Sequence, residues 1–286
     1  MLKKIQEQKQ EKTMQAKKHI QIAMNKTRDN LSSGSTHPKT FALEKINIII
    51  PKLQKEFYNY KIAHITDIHL GQWITQEKLD IAIDITNNEK PDLVALTGDY
   101  VSYSIDTELN ELESSLKKLQ PKDKTISVLG NHDHWTNSNK VRKTLKNAGI
   151  INLDNDVYTI HKNKAQLQIA GVDSITLNKD DINKVLPKIN DVYPAIMLAH
   201  EPDFADVTAK TEKFALQLSG HSHGGQFVIP KLGTPIRGHN FLKYPIGLYK
   251  VGNMIQYTNR GLGTNMFWLR INCAPEITII TLNGDK

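Results

Sequence analysis

The sequence predicts an α/β domain built on a partly mixed sheet. Strand-type and helix-type segments alternate through the first half of the chain, and strand-type segments dominate the second half. Apolar runs such as "INIII", "DLVALTG", "TISVLG" and "AIMLAH" have the length and branching of buried strands. With 286 residues the chain can bury a sizeable core, as one large domain or two small ones. The hydrophobic share of 39% is modest, but it is concentrated in those runs, which excludes a disordered chain.

Taken in order, residues 1–28 form a basic polar tail. Its eight basic side chains (Lys3, Lys4, Lys9, Lys12, Lys17, Lys18, Lys26 and Arg28) and two acidic ones (Glu7, Glu11) carry +6 of the chain's net +7. The remainder is therefore nearly neutral, and the pI of 9.2 belongs to the tail. That balance argues against a body-wide basic patch, so no nucleic-acid partner is expected. The tail lacks the apolar core of a signal peptide, and nothing in the chain reaches 18 consecutive apolar residues. Its ragged apolar stripe (Ile5, Met14, Ala16, Ile20, Ile22, Ala23, Met24) reads as a weakly helical extension, or as a basic helix on anionic lipid. "NLSSGSTHPKT" (30–40) is a linker. The expected organisation is thus a tail and linker over 1–40 and one domain over 41–286.

After the linker, "KIAHIT" (61–66) reads as a strand, 76–89 as a helix and "PDLVALTG" (91–98) as a buried strand. Residues 106–119 place Leu109, Leu112, Leu116 and Leu119 on one helical face. "KTISVLG" (124–130) is a strand, and 139–149 is a helix closed by Gly149. "AQLQIAGV", "AIMLAH" and "FALQLSG" are further strands. "LYKVGNMIQYT" is a hairpin turning at Gly252-Asn253, and "EITIITL" is a last strand. The lone cysteine, Cys273, permits no intramolecular disulfide, which fits a reducing, cytoplasmic setting. Together with the basic tail it suggests peripheral contact at the inner face of a membrane.

The polar residues that follow the strands are of one kind. "KIAHIT" runs into Asp67 and His69, "LVALTG" into Asp99, "ISVLG" into Asn131-His132-Asp133, "AIMLA" into His200 and "ALQLSG" into His221 and His223. Sites in open α/β sheets form at the carboxyl ends of strands, and Asp, Asn and His are ligands for divalent metals. Residues two apart in extended chain point to one side, so D-x-H and H-x-H can each aim two donors at one place. So many such residues exceed what one metal with open positions needs, and they suit a pair sharing a carboxylate. Gly98, Gly130 and Gly220 permit sharp turns at the strand ends.

"TDIHLG", "LTGDY", "LGNHDHW", "LAHEPD" and "LSGHSHGGQ", in this order, resemble the motifs of the calcineurin-like metallophosphoesterases over roughly residues 41–282. "YTNRGLGT" and "PEITIITL" further resemble the bacterial subgroup that includes YkuE-like enzymes and a UDP-2,3-diacylglucosamine pyrophosphatase of lipid A synthesis. The resemblance implies a four-layer αββα sandwich. It implies two divalent ions, Mn²⁺ ahead of Fe, Zn²⁺ or Co²⁺, and a hydroxide bridging them as the nucleophile on a phosphate ester or pyrophosphate. Asp67, His69 and His223 would hold one ion, Asn131, His200 and His221 the other, with Asp99 bridging and His132 as the acid. The substrate would be a phosphorylated small molecule or a lipid-linked one. One departure stands out: where some relatives carry an aspartate that orients the catalytic histidine, this chain has Ser102, leaving Asp133 as a substitute.

Each residue alone has a plainer reading. A strand-end Asp usually caps a turn, and a single histidine usually packs, as expected for His64, His134, His161 and His239. Trp73, Trp135, Phe267 and Trp268 read as packing or loop anchors. Arg237, Arg260 and Arg270 offer phosphate forks, or structural ion pairs. Gly220-His221-Ser222-His223-Gly224 fits a serine-hydrolase elbow, but no acid follows Ser222 until Glu276, and His239 precedes that acid, the wrong order for such a triad. A catalytically inactive binding module on the same scaffold is the other alternative, against which the complete ligand set speaks. Gly224 and Gly225 are expected to leave room beside a phosphate.

Overall fold

The computed structural model describes residues 41–71, 73–102, 106–265 and 269–285. The basic tail, Phe267 and Trp268 lie outside them. Twelve strands occur in chain order: β1 (Ala42–Ile49), β2 (Tyr60–Ile65), β3 (Leu93–Thr97), β4 (Lys124–Val128), β5 (Ile151–Asn152), β6 (Asp156–Lys162), β7 (Ala165–Gly171), β8 (Ala195–Leu198), β9 (Leu216–Ser219), β10 (Gly247–Val251), β11 (Met254–Thr258) and β12 (Glu276–Asn283). They form two mixed six-stranded sheets, ordered β1-β12-β2-β3-β4-β5 and β10-β11-β9-β8-β7-β6. In the first, only the β12–β2 pair is antiparallel. The second has a parallel centre, β11-β9-β8-β7, flanked by antiparallel β10 and β6.

Alternation along the strands decides what each sheet face buries. On β3, Leu93 and Ala95 face the second sheet, while Val94 and Leu96 face helices. On β8, Ile196 and Leu198 point between the sheets, and Ala195 and Met197 point to the opposite outer layer. Three apolar cores follow: helix on sheet, sheet on sheet, and sheet on helix. That is the αββα sandwich, with the two sheets packed face to face through Ile62, Ile126, Ile169 and Leu216.

The helices form for local reasons. Thr75 caps Gln76–Asn88 through its hydroxyl, which accepts from Lys78 N, and Leu79, Ala82, Ile83 and Thr86 form the buried stripe. Leu109, Leu112 and Leu116 are the buried face of Asp106–Leu116. Asn137 caps Ser138–Asn147, which ends before Gly149 in the left-handed region at φ 78°. The hairpin turns at Gly252-Asn253 between paired Val251 and Met254. β5, β6 and the short helices Asn131–Thr136, Ile182–Val185 and Ala205–Lys210 are not evident from the sequence; "NHDHWT" carries no apolar period. Among the described residues, no helix is long and apolar enough to cross a membrane.

Candidate metal centre

Parallel neighbours β2, β3 and β4 end at one edge of the first sheet, and parallel neighbours β8 and β9 end at the facing edge of the second. The first edge carries Asp67, His69, Asp99 and Asn131; the second carries His200, His221 and His223. The two edges are tied directly: His221 N donates to Asp67 Oδ2 at 2.9 Å, and Leu262 N donates to Thr66 O at 3.0 Å. Asp67, His69, Asp99, His200, His221 and His223 are brought together, and Asn131 is buried on the loop after β4.

The backbone is unusual at these positions. Asp67, His69, Asp99, His221 and His223 all have positive φ, between 48° and 67°. Such residues are uncommon outside glycine and cluster where the surrounding structure over-determines the chain. Left-handed residues at the strand ends swing successive side chains into one cleft. Gly98, at φ 92°, is a turn glycine of the expected kind. Gly220 is there for space instead: a Cβ would lie 2.1 Å from Thr66 Oγ1 and 2.2 Å from Asp67 Oδ2.

Three donor clusters result, Asp67–His69–His223, Asp99–His200–His221 and, linking them, His69–Asp99–His132, with the donor atoms of each within 4.8 Å of one another. In the first, His223 Nε2 is 3.3 Å from Asp67 Oδ1 and 3.2 Å from His69 Nε2. In the second, His200 Nε2 is 3.2 Å from both Asp99 Oδ2 and His221 Nδ1. The clusters meet at Asp99, whose Oδ2 is also 3.6 Å from His69 Nε2.

The outer nitrogens decide the tautomers. His200 Nδ1–H donates to Thr97 O at 2.6 Å, and His221 Nε2–H donates to His239 O at 3.0 Å. The lone pairs of the neutral rings therefore sit on His200 Nε2 and His221 Nδ1, which face each other. Two lone pairs at that range repel unless a proton or a cation lies between them. Without metal a proton serves: burial would lower His200, but Asp99 holds it well above the usual imidazole range. Against the upward push of burial, His200 and His132 in turn hold Asp99 well below the usual carboxylate range. Burial pushes His69 down to about 3 and His221 to about 4, keeping these rings neutral, and it pushes Asp67 up to about 7. Asn131 Oδ1, buried, has no hydrogen-bond partner in the structure and is a hard oxygen donor. A carboxylate, amide and imidazole set with mutually repelling lone pairs fits divalent cations, which would replace the proton.

The supporting contacts were mostly invisible in the sequence. Ser102 Oγ shares a 2.5 Å hydrogen bond with His69 Nδ1, so this serine braces a cluster residue. Asp133 does not orient His132. Its carboxylate accepts from Asp99 N (2.9 Å), Tyr100 N (2.8 Å) and Gly130 N (2.9 Å), clamping the loops after β3 and β4 together. His132 N donates to Asp99 Oδ1 at 2.8 Å, and its ring lies edge-on between His69 and Trp135, 4.7 Å from each. Trp73 is buried, as a packing residue should be, but Trp135 remains 40% exposed beside His132.

The other predicted residues have different surroundings. Arg260 pairs with Glu276 and Glu44. Arg270 is buried behind His223, donating to the carbonyls of Arg260, Gly261, Gly263 and Cys273. Arg237 is exposed and donates to Leu242 O at 2.6 Å. His64 is buried against Thr97, His161 is exposed, and His134 bonds Asp173 at 2.6 Å. Ser222 Oγ donates to Pro245 O at 2.5 Å and caps the turn at Gly224, a structural task rather than a nucleophile's. The expected room at Gly224 and Gly225 is absent: added Cβ atoms would lie 2.8 Å from Cys273 Sγ and 2.0 Å from Thr234 Oγ1.

The family model "Calcineurin-like phosphoesterase" matches residues 60–225, a span that contains all seven cluster residues. The chain is 34% identical to "Uncharacterized metallophosphoesterase YkuE" of Bacillus subtilis (strain 168), over 80% of each chain. It is 32% identical to "Phosphodiesterase YaeI" of Escherichia coli (strain K12), over 78% of this chain and 82% of that one. Among solved structures, Haemophilus influenzae NAD nucleotidase aligns at 15% identity and TM-score 0.48, over 70% of this chain and 45% of the other.

Proposed function

The chain belongs to the calcineurin-like phosphoesterases and is a phosphoester hydrolase, and from that premise we propose that it cleaves phosphodiesters or pyrophosphates with two divalent metal ions. Asp67, His69 and His223 would hold one ion. Asn131, His200 and His221 would hold the other, with Asp99 between them. The observation that carries this reading is that both clusters converge on Asp99 Oδ2, 3.2 Å from His200 Nε2 and 3.6 Å from His69 Nε2.

Bound at such a site, paired divalent ions supply Lewis acidity and an activated water near neutral pH. The chain's own residues do the rest. His132 protonates the departing oxygen, held at the cleft by its backbone bond to Asp99 and by the rings of His69 and Trp135. Ser102, Thr97 and His239 fix the rings of His69, His200 and His221, so little reorganisation accompanies charge development at phosphorus. Arg237 is the proposed phosphate-facing cation, since Arg260 and Arg270 spend their donors inside the protein.

A diester is favoured over a monoester by the relative named a phosphodiesterase. A lipid-linked pyrophosphate such as UDP-2,3-diacylglucosamine is the specific substrate we propose to try first, with Mn²⁺ as the ion and the basic tail as a peripheral membrane contact. The test is a panel of bis-p-nitrophenyl phosphate, p-nitrophenyl phosphate and UDP-2,3-diacylglucosamine on chelator-treated protein. Hydrolysis that returns with Mn²⁺ and resists serine reagents supports the reading. Hydrolysis unaffected by chelation, or blocked by serine reagents, overturns it.

A further inference from the structure

The rim of the cleft has a composition found nowhere else in the chain. Residues 213–275 contain no Asp or Glu, but seven cations: Lys213, Lys231, Arg237, Lys243, Lys250, Arg260 and Arg270. Two stretches of this acid-free segment, 226–246 and 269–271, fold against the second sheet's side of the site. Val228 N donates to Ile271 O and Ile271 N to Gln226 O, joining the stretches to each other. The His239 carbonyl and the Phe241 ring, 5.5 Å from the His221 ring, join them to the donor cluster.

This lip exposes apolar side chains. Leu232 is 80% exposed, Leu242 60% and Ile236 50%, with Leu269 and Ile271 each at 42%. Trp135, across the cleft, adds a sixth; these are half of the twelve large apolar side chains exposed among the described residues. Exposed single apolar residues are ordinary, but such a concentration beside a site marks an interaction surface. Lys231 and Arg237, both exposed, stand among them.

We propose that this lip seats the mouth of the site on an anionic lipid surface. Leucine and isoleucine side chains beside Lys231 and Arg237, in a segment whose nearby acids Asp203 and Asp206 are spent on the 242–244 turn, match a lipid interface: the aliphatic tips enter the headgroup boundary and the cations meet phosphate. A protein partner would favour an interface core depleted of lysine, and single-stranded nucleic acid would favour stacked aromatic platforms. The contact does not depend on the tail. Its consequence rests on the phosphoesterase reading: the hydrolysed phosphate would belong to a headgroup reached from the bilayer surface, without extraction of the lipid.

The experiment is vesicle flotation of the full chain in EDTA, comparing pure phosphatidylcholine with phosphatidylcholine containing phosphatidylglycerol. The full chain should float with the anionic vesicles only. The double variant Leu232→Ser, Leu242→Ser should bind about tenfold more weakly or worse, and Lys231→Glu alone about fivefold more weakly. Both should keep turnover of bis-p-nitrophenyl phosphate with Mn²⁺, which reports intact folding. Full-chain protein that stays off anionic vesicles overturns the proposal, as does undiminished binding of both variants, which would move the contact to residues 1–40. Vesicle binding without any phosphodiester turnover would instead overturn the hydrolytic reading and leave the lip standing.

Discussion

The two sheets bring unlike chemistry to the same cleft. The first supplies oxygen donors, Asp67, Asp99 and Asn131, with two imidazoles, His69 and His132. The second supplies only imidazoles, His200, His221 and His223, the last two within the acid-free stretch 213–275. The second edge holds no complete cluster, and the first completes only His69–Asp99–His132. Asp67 and His69 need His223 from across the seam, and Asp99 needs His200 and His221. The lesson is that the site belongs to the packing of the sheets rather than to either one. Apolar contacts such as Ile62, Ile169 and Leu216 set the distance at which the donors meet.

That comparison can be broken by exchanging partners across the seam. Asp67→Ala on the first sheet and His223→Ala on the second should each lower bound metal from two equivalents to one, as read by elemental analysis. Each should cost about 100-fold or more in turnover. Two ions retained in the His223→Ala protein would show that one sheet suffices. His132→Ala sharpens the distinction between donor and acid: both ions should remain while turnover falls about 10²–10⁴-fold. Equal turnover would remove His132 from the mechanism.

A smaller effect is expected at the clamp within the first sheet. Asp133→Ala strands three buried backbone N–H groups, each worth about 1–3 kcal/mol when left unsatisfied. A clearly lower Tm should follow, and an unchanged Tm would mean the loops hold themselves. Smallest of all, Ser222→Ala removes two hydrogen bonds, to Pro245 O and from Gly224 N, and should cost about 1–2 kcal/mol, with kcat within about twofold of the parent. A large drop in kcat would return Ser222 to consideration as a nucleophile.

The cleft was readable in the sequence because apolar runs mark strands and the residues after them are donors. Asp67, Asp99 and His200 needed no further signal than position. The hairpin at Gly252 and the leucine face of the second helix were equally plain, because local chemistry and periodicity act over a few residues. Less accessible were features that depend on distant backbone. His239 was read as a packing side chain, whereas it is its carbonyl that fixes His221, and a carbonyl carries no sequence signal. The sequence offers Asp133 as a partner for His132, but its neighbours are three amides that only the sheet register brings near. Ser102 replaced a carboxylate in the motif and still found an imidazole, a different one from that expected.

The left-handed residues have an evolutionary consequence. Five cluster positions hold a conformation that costs a non-glycine residue about 1–3 kcal/mol, and they do so while crowding acids and imidazoles out of water. Substitutions that relieve either burden raise stability and empty the cleft. A laboratory lineage selected only for heat resistance would therefore drift toward sturdy, inert descendants, with the losses gathering first at Asp67, His69, Asp99, His221 and His223.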